Sequence, residues 1–180
     1  MKVAVVVGSL RKGSYNRMIA KAMCGLAQGL ECEIVEIGDL PLYNEDLEAG
    51  SPPAQWEEFR KRIRSADAVL FVTPEYNRSV PGALKNAIDV GSRPYGKSVW
   101  AKKPAAVVSV SPGAIGGFGA NHHLRQSLVF LDMPALQQPE AYVGGVAGMV
   151  DAQGNLTNAE TREFLRKFME AFARWIKATK

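Results

Sequence analysis

Ten consecutive residues, Gly8-Ser9-Leu10-Arg11-Lys12-Gly13-Ser14-Tyr15-Asn16-Arg17, combine two glycines, two serines, an asparagine and three cations. Glycines let the backbone come close to a ligand, hydroxyl and amide groups donate, and guanidinium neutralises charge. Together they suit the holding of an anion, above all where such a loop opens a helix whose first N–H groups are unpaired. A second polar loop, Thr73 to Ser79, carries Pro74, Glu75, Tyr76, Asn77 and Arg78. A third, Ser111 to Gly119, includes Gly113 and is rich enough in glycine for backbone to approach a flat ring.

The elements between these loops predict how they are positioned. Val3–Val7 and Ala68–Val72 are continuously apolar, Ala105–Val110 is apolar apart from Ser109, and all three read as strands buried on both faces. Glu31–Ile37 reads as a further strand, and a fifth lies within Ala135–Val143. Helical spacing appears from Met18 to Leu26, from Trp56 to Ala66, and over Leu84, Ala87 and Ile88, with Pro81 in the first turn of that helix. It returns near Asn121–Leu131 and over Phe164–Ile176, where Thr157-Asn158-Ala159-Glu160 reads as a capping box. Gly91 to Lys103 is polar and reads as an exposed excursion, on which Tyr95 and Trp100 would line a substrate opening or a subunit contact.

Alternating strands and helices imply an α/β fold, a doubly wound five-stranded parallel sheet with helices on both faces. The expected order is 2-1-3-4-5, the flavodoxin-like one, in a single domain over residues 1–180. In that order the winding reverses between strands 1 and 3, and ligands bind at their carboxyl ends. The loops at Gly8–Arg17 and Thr73–Ser79 follow those two strands.

Several phosphate-site chemistries fail on individual residues. Gly8 and Gly13 have Walker spacing, but Ser14 stands where the lysine belongs. Leu10 replaces the middle glycine of a dinucleotide fingerprint. Neither Cys24 nor Cys32 lies five residues before an arginine in the loop, as a cysteine phosphatase requires, and Val72-Thr73-Pro74-Glu75 has no receiver-type aspartate. What remains is a single phosphate monoester held by hydroxyls, amides and an arginine, as at the tail of FMN.

Gly-Ser-Leu-Arg-Lys-Gly-Ser-Tyr-Asn (8–16), Pro-Glu-Tyr-Asn-Arg-Ser-Val-Pro-Gly (74–82), Leu-Lys-Asn-Ala-Ile-Asp (84–89) and Ser-Pro-Gly-Ala-Ile-Gly-Gly (111–117) resemble the NADPH-dependent FMN reductase family, in its branch of soluble quinone reductases, also described as chromate reductases. The resemblance implies non-covalent FMN, NADPH or NADH as co-substrate, and a homodimer or homotetramer. It implies ping-pong two-electron reduction of quinones, with chromate, azo dyes and other small acceptors also within reach. Carried over by position, Ser9, Arg11, Ser14, Tyr15 and Asn16 would hold the FMN phosphate. Pro74, Glu75, Tyr76, Asn77 and Arg78 would border the ring, and Ser111 with Gly113 would close its far side. No side chain need act as an obligatory acid or base. Arg78, Arg11 or Arg17 would favour a phosphorylated nicotinamide. A flavodoxin-type electron carrier and a flavin reductase releasing reduced FMN are the alternatives; carriers usually have acidic surfaces, against the net charge of +4 here.

Composition narrows the setting. Lysines and arginines are scattered and not interleaved with aromatics, so small anions rather than nucleic acid are the expected partners. No apolar run is long enough to span a membrane, and a strand from residue 3 leaves a secretory signal no room, so a cytoplasmic protein is expected. Cys24 and Cys32 read as small buried apolar residues. The adjacent His122 and His123 diverge by about 100° on a helix, cannot share a metal, and suit a surface or interface role.

Overall fold

The computed structural model describes residues 1–179. Five parallel strands, β1 (Lys2–Val7), β2 (Glu31–Val35), β3 (Ala68–Thr73), β4 (Ala105–Val110) and β5 (Ala141–Val143), form one sheet in the order β2-β1-β3-β4-β5. Val5 pairs with Ile34 on one side and Leu70 on the other, Leu70 with Ala106, and Val108 with Ala141. The helices are α1 (Tyr15–Leu26), α2 (Glu45–Ala49), α3 (Ala54–Ser65), α4 (Gly82–Gly91), α5 (Phe118–Phe130) and α6 (Ala159–Thr179). The flavodoxin-like order read from the sequence is the one observed.

The continuous apolar strands have a simple cause. Successive side chains point to opposite faces, and both faces are covered. Val3, Val5, Leu70 and Val108 meet Ile19 and Met23 of α1 and Phe168 and Phe172 of α6. Val6, Phe71 and Val107 meet Trp56 and Ile63 of α3, Leu84 and Ile88 of α4, and Leu124 and Leu128 of α5. Because every pairing is parallel, all the carboxyl ends lie on one rim, where the polar loops gather.

The structure corrects several sequence expectations. β2 stops at Val35, two residues before Ile37, whereas β5, Ala141–Val143, lies within the expected range, and Ala135 makes an isolated bridge to Ala105. α1 begins at Tyr15, so Tyr15, Asn16 and Arg17 lie on its first turn, and Ser14 is its N-cap, accepting from Arg17 N at 3.2 Å. α5 starts at Phe118, three residues before Asn121. The cap of α6 is Asn158, whose Oδ1 accepts from Thr161 N at 2.8 Å, while Thr157 Oγ1 donates to Met149 O.

The excursion after α4 is only half exposed. Tyr95 projects into solvent, but Trp100 is 0% exposed. Its indole packs against Phe59 and Phe71 at 5.9 and 5.8 Å between ring centroids, and Nε1 donates to Ile88 O at 2.9 Å. Trp100 is therefore core, neither substrate lining nor subunit contact, because its donor finds a partner inside. Cys24 and Cys32 are half-buried rather than buried. The Cys32 thiol, then burial, push the Cys24 thiol up from its ordinary value, so Cys24 stays protonated and a poor nucleophile at neutral pH.

Candidate functional site

The loop after β1 meets the requirements of an anion site. Among the described residues, no acceptor is recorded for the backbone amides of residues 9–16, and α1 has no acidic residue in its first turn. Unpaired amides at a helix start carry partial positive charge and select an anion. Arg11 is exposed and makes no ion pair among the described residues. Arg17, in contrast, is already paired with Glu36, so of the cations in this stretch it is the least available to a phosphate.

The loop after β3 is a tight hairpin. Tyr76 N donates to Ser79 O and Ser79 N to Tyr76 O, both at 3.0 Å, with Asn77 and Arg78 at φ 50° and 63° between them. Two positive φ values at the turn centre give the twist of a type I′ turn. For Arg78 this conformation costs about 1 kcal/mol, and among the described residues the Asn77 and Arg78 amides have no acceptor, which leaves them free to donate to an anion.

Glu75 holds that hairpin to α5. Its carboxylate is only 12% exposed; Oε2 accepts from Ala120 N at 2.9 Å and Oε1 from Arg78 Nη1 at 3.1 Å. Gly117, the N-cap of α5, makes no side-chain cap, so Glu75 supplies one from a distant loop. Gly119 permits the approach: a Cβ there would meet Glu75 Oε2 at 2.9 Å and Arg78 O at 3.0 Å. Glu75→Ala is expected to lower the thermal midpoint by about 4 °C, the value for ~1–2 kcal/mol in a chain of this size. Glu75→Gln, which keeps an acceptor for Ala120 N, is expected to restore most of it; equal melting of the two variants would show that the cap contributes nothing.

The loop after β4 is fastened to the segment after β5. Ser111 N donates to Val143 O at 2.9 Å, Gly145 N to Gly113 O at 3.3 Å, and Val146 N to Ser111 O at 3.4 Å. Ser111 Oγ accepts from Gly113 N at 3.0 Å, which stiffens the turn from within.

These three loops enclose a cleft of about 270 Å³ lined by Ser9, Arg11, Tyr15, Asn16, Pro74, Glu75, Tyr76, Val110, Ser111 and Pro112. Of the residues expected at the site, the fold brings Ser9, Arg11, Tyr15, Asn16, Pro74, Glu75, Tyr76 and Ser111 onto its walls. It leaves Ser14 buried beneath as a helix cap, Asn77 and Arg78 at the hairpin tip, and Gly113 in the supporting turn. Val110 and Pro112 are wall residues that the sequence reading missed; flanking Ser111 at a strand end was the available signal.

The donor set fits a ligand with a phosphate at one end and a flat ring at the other. Amides, a hydroxyl and a free guanidinium stand at the α1 end, while Pro74, Tyr76, Val110 and Pro112 offer apolar faces. Asn16 is 5% exposed; its Nδ2 donates to Val110 O at 3.4 Å, and its buried Oδ1 has no partner. Such an orphan acceptor costs about 1–3 kcal/mol. The cleft is smaller than the roughly 300 Å³ at which drug-sized pockets begin, which suits a ligand whose reactive face stays open.

Other concavities lack this chemistry. A groove of about 320 Å³ between α4 and α5 is lined by Lys85, Asp89, Arg93 and His123, but Lys85 and Asp89 already pair at 2.8 Å. His123 Nδ1 shares a hydrogen bond with Ser79 Oγ at 2.8 Å, and His122 Nε2 one with Tyr142 OH at 2.9 Å. Burial, then a bond to Glu140, push the Tyr142 hydroxyl up to about 12, so it stays protonated. Among the described residues no group of metal-ligating side chains is found.

Residues 1–148 match the family model described as NADPH-dependent FMN reductase. The chain is 69% identical over 176 residues to a quinone reductase of Pseudomonas putida, covering 97% of this chain and 94% of that one. It is 45% identical to a 2-hydroxy-1,4-benzoquinone reductase of a Burkholderia species, over 98% of this chain and 97% of the other. Among solved structures, FerB, a flavoenzyme NAD(P)H:(acceptor) oxidoreductase from Paracoccus denitrificans, superposes with a TM-score of 0.92 at 46% identity, covering 99% of this chain and 98% of that one.

Proposed function

The chain belongs to the NADPH-dependent FMN reductase family, and on that premise we propose that it is an FMN-dependent NAD(P)H:quinone oxidoreductase built as one FMN-binding domain. The observation that carries this reading is the run of unpaired amides over residues 9–16 facing, across the β1/β3 switch point, the positive-φ hairpin at Asn77 and Arg78. One end selects a phosphate monoester and the other a polar ring edge.

Bound in the cleft, FMN would supply two-electron transfer between a nicotinamide and a quinone. The chain's own groups hold, orient and polarise. Ser9, Arg11 and the amides of Tyr15 and Asn16 would grip the phosphate, with Ser14 fixing the start of α1 beneath it. Pro74, Tyr76, Val110 and Pro112 would exclude water from the ring, and Ser111 with Gly113 would close its far side. The free amides of Asn77 and Arg78 are suited to stabilise negative charge at a ring edge. Glu75 is committed to Ala120 N and Arg78, so it serves as a strut rather than as a base.

Chromate and azo dyes belong to the same reading as further small acceptors. So do a cytoplasmic setting, which agrees with the absence of a membrane-length apolar helix among the described residues, and a homodimer or homotetramer. Val129 and Phe130, 80% and 85% exposed at the end of α5, are the apolar surface that favours self-association.

The test is direct. The purified protein, alone or after adding FMN, is expected to show flavin absorbance, and its NADPH oxidation is expected to accelerate when a quinone is added. No retained flavin, or oxidation indifferent to quinone, would overturn the proposal. Arg11→Ala is expected to raise the FMN dissociation constant about 10- to 100-fold, the worth of a charge-assisted contact. Ser14→Ala is expected to do so less, through the lost cap. Both are expected to turn over within about twofold of wild type once FMN saturates, measured by steady-state kinetics across FMN concentrations.

A further inference from the structure

The chain holds two cysteines, Cys24 on α1 and Cys32 on β2, and the cleft uses neither. The fold makes them neighbours. Side chains alternate along β2, so Cys32 and Ile34 turn toward the layer of α1 and α6 while Val35 joins the opposite face. The last turn of α1 sets Cys24 against the same apolar cluster, and the chain reverses between the two at Gly29, where φ is 73°. The two thiols share a hydrogen bond, Cys24 donating and Cys32 accepting. Both are free, and both residues are half-buried rather than sealed in the core.

We propose that Cys24 and Cys32 are a reversible oxidation site, closed by hydrogen peroxide into an intrachain disulfide that spares Cys32 from irreversible oxidation. The roles follow from the direction of the hydrogen bond. A sulfur that accepts gives up its own proton more readily, and the Cys24 thiol holds Cys32 below its ordinary value, so Cys32 is the nucleophile. Its Sγ attacks one oxygen of the peroxide. An S–O bond forms, the O–O bond breaks, and the departing hydroxide takes the Cys32 proton as water. Cys32 is then a neutral sulfenic acid, and the anion that kept the proton on Cys24 is gone. Cys24 Sγ attacks the Cys32 sulfur; the S–S bond forms, the S–O bond breaks, and the second hydroxide takes the Cys24 proton as water. Two thiols and one peroxide thus give one disulfide and two waters. In a reducing compartment small thiols reopen the bond, so it is transient there.

The full-length protein and its Cys24→Ser and Cys32→Ser variants, reduced and freed of reductant, are exposed to hydrogen peroxide, alkylated with N-ethylmaleimide and weighed intact. Wild type is expected to lose both alkylation sites together, as a single chain lighter by two hydrogens, and to regain both after dithiothreitol. Cys24→Ser is expected to take up oxygen at Cys32 and to pass on to a sulfinic acid that dithiothreitol does not reverse. Cys32→Ser, left with the protonated Cys24, is expected to lose its thiol at least about tenfold more slowly than Cys24→Ser. Wild type that gains oxygen as Cys24→Ser does, or a disulfide that links two chains, would overturn the proposal. So would wild-type thiols still open to alkylation once Cys24→Ser is fully oxidised. Equal rates in the two single variants would overturn the assignment of Cys32 as the attacking sulfur.

Discussion

Arg60→Ala is expected to lower the thermal midpoint by about 10 °C, from a loss of ~3–5 kcal/mol at ~2–4 °C per kcal/mol. The Arg60 side chain is 0% exposed although it carries a full charge. It lies on α3; Nε donates to Val90 O at 3.0 Å, and Nη1 donates to Glu57 at 2.6 Å and to Glu48 at 3.1 Å. A second contact to Glu48, through Nη2, completes the fork, and the guanidinium lies 5.7 Å from the centroid of Trp56. One cation thus joins α2, α3 and the end of α4. Truncation leaves the Glu48 carboxylate, 11% exposed, without its donor and the Val90 carbonyl with the longer bond from Arg93 N at 3.4 Å, and the uncompensated carboxylate sets the cost. Lysine cannot reproduce a planar fork, so Arg60→Lys is expected to recover less than half of the loss. A double variant, Arg60→Met with Glu48→Gln, removes both buried charges and is expected to melt above the single variant. Calorimetry on wild type and the three variants checks this; an Arg60→Ala midpoint within about 2 °C of wild type would show that the network contributes nothing.

That network is also where the sequence was hardest to read. The doubly wound sheet was legible because β1, β3 and β4 carry long apolar runs, broken only by Lys2, Thr73 and Ser109, a pattern that two covered faces explain. The anion loop was legible because its residue types exclude one ligand after another. α2 was not. Its five residues, Glu-Asp-Leu-Glu-Ala, are too few to be helical by themselves, and they follow a proline-bearing loop; a cap from Asn44 and the contact of Glu48 with Arg60 hold them. The burial of Trp100 was hidden for a similar reason. Lys97, Lys102 and Lys103 surround it in the chain, while the partners that bury it, Phe59, Phe71 and Ile88, come from other elements.

In the site, residue types and their loops were legible and their division of labour was not. Glu75 could be placed beside a ring from its motif, but its partner Ala120 lies 45 residues away. α5 starts at Phe118 although Gly117 has no side chain to cap it and Gly119 is a poor helix former; the carboxylate of Glu75 supplies what the local sequence lacks. Ser14 has the composition of a ligand contact and the position of a helix cap, and only the backbone distinguishes them. Asn16 looked like a donor because an amide is both donor and acceptor; which end is spent depends on Val110, 94 residues on.

Gly144→Ala is expected to damage fold and site together, costing about 3 kcal/mol of stability, at the upper end for overpacking, and raising the FMN dissociation constant at least about tenfold. A Cβ on Gly144 would run into Ala114 O, and it would lie 2.9 Å from Ala114 C and 3.0 Å from Gly113 O. All three are backbone atoms, so no side-chain rotation relieves the contact. The loop after β4 would have to lift away from the segment after β5, against the bonds Ser111 N–Val143 O and Gly145 N–Gly113 O that fasten them. Ser111 and Pro112 belong to the cleft wall, so the wall would move with the loop. Gly145→Ala is the discriminating control. Its φ of 62° penalises alanine by about 1 kcal/mol, but nothing lies within 4 Å of its Cβ. It is therefore expected to lose stability without losing FMN. Paired melting curves and FMN titrations of the two variants read the difference. If Gly144→Ala kept wild-type FMN affinity while losing stability, the wall after β4 would play no part in holding the flavin, and the site would reduce to the loops after β1 and β3.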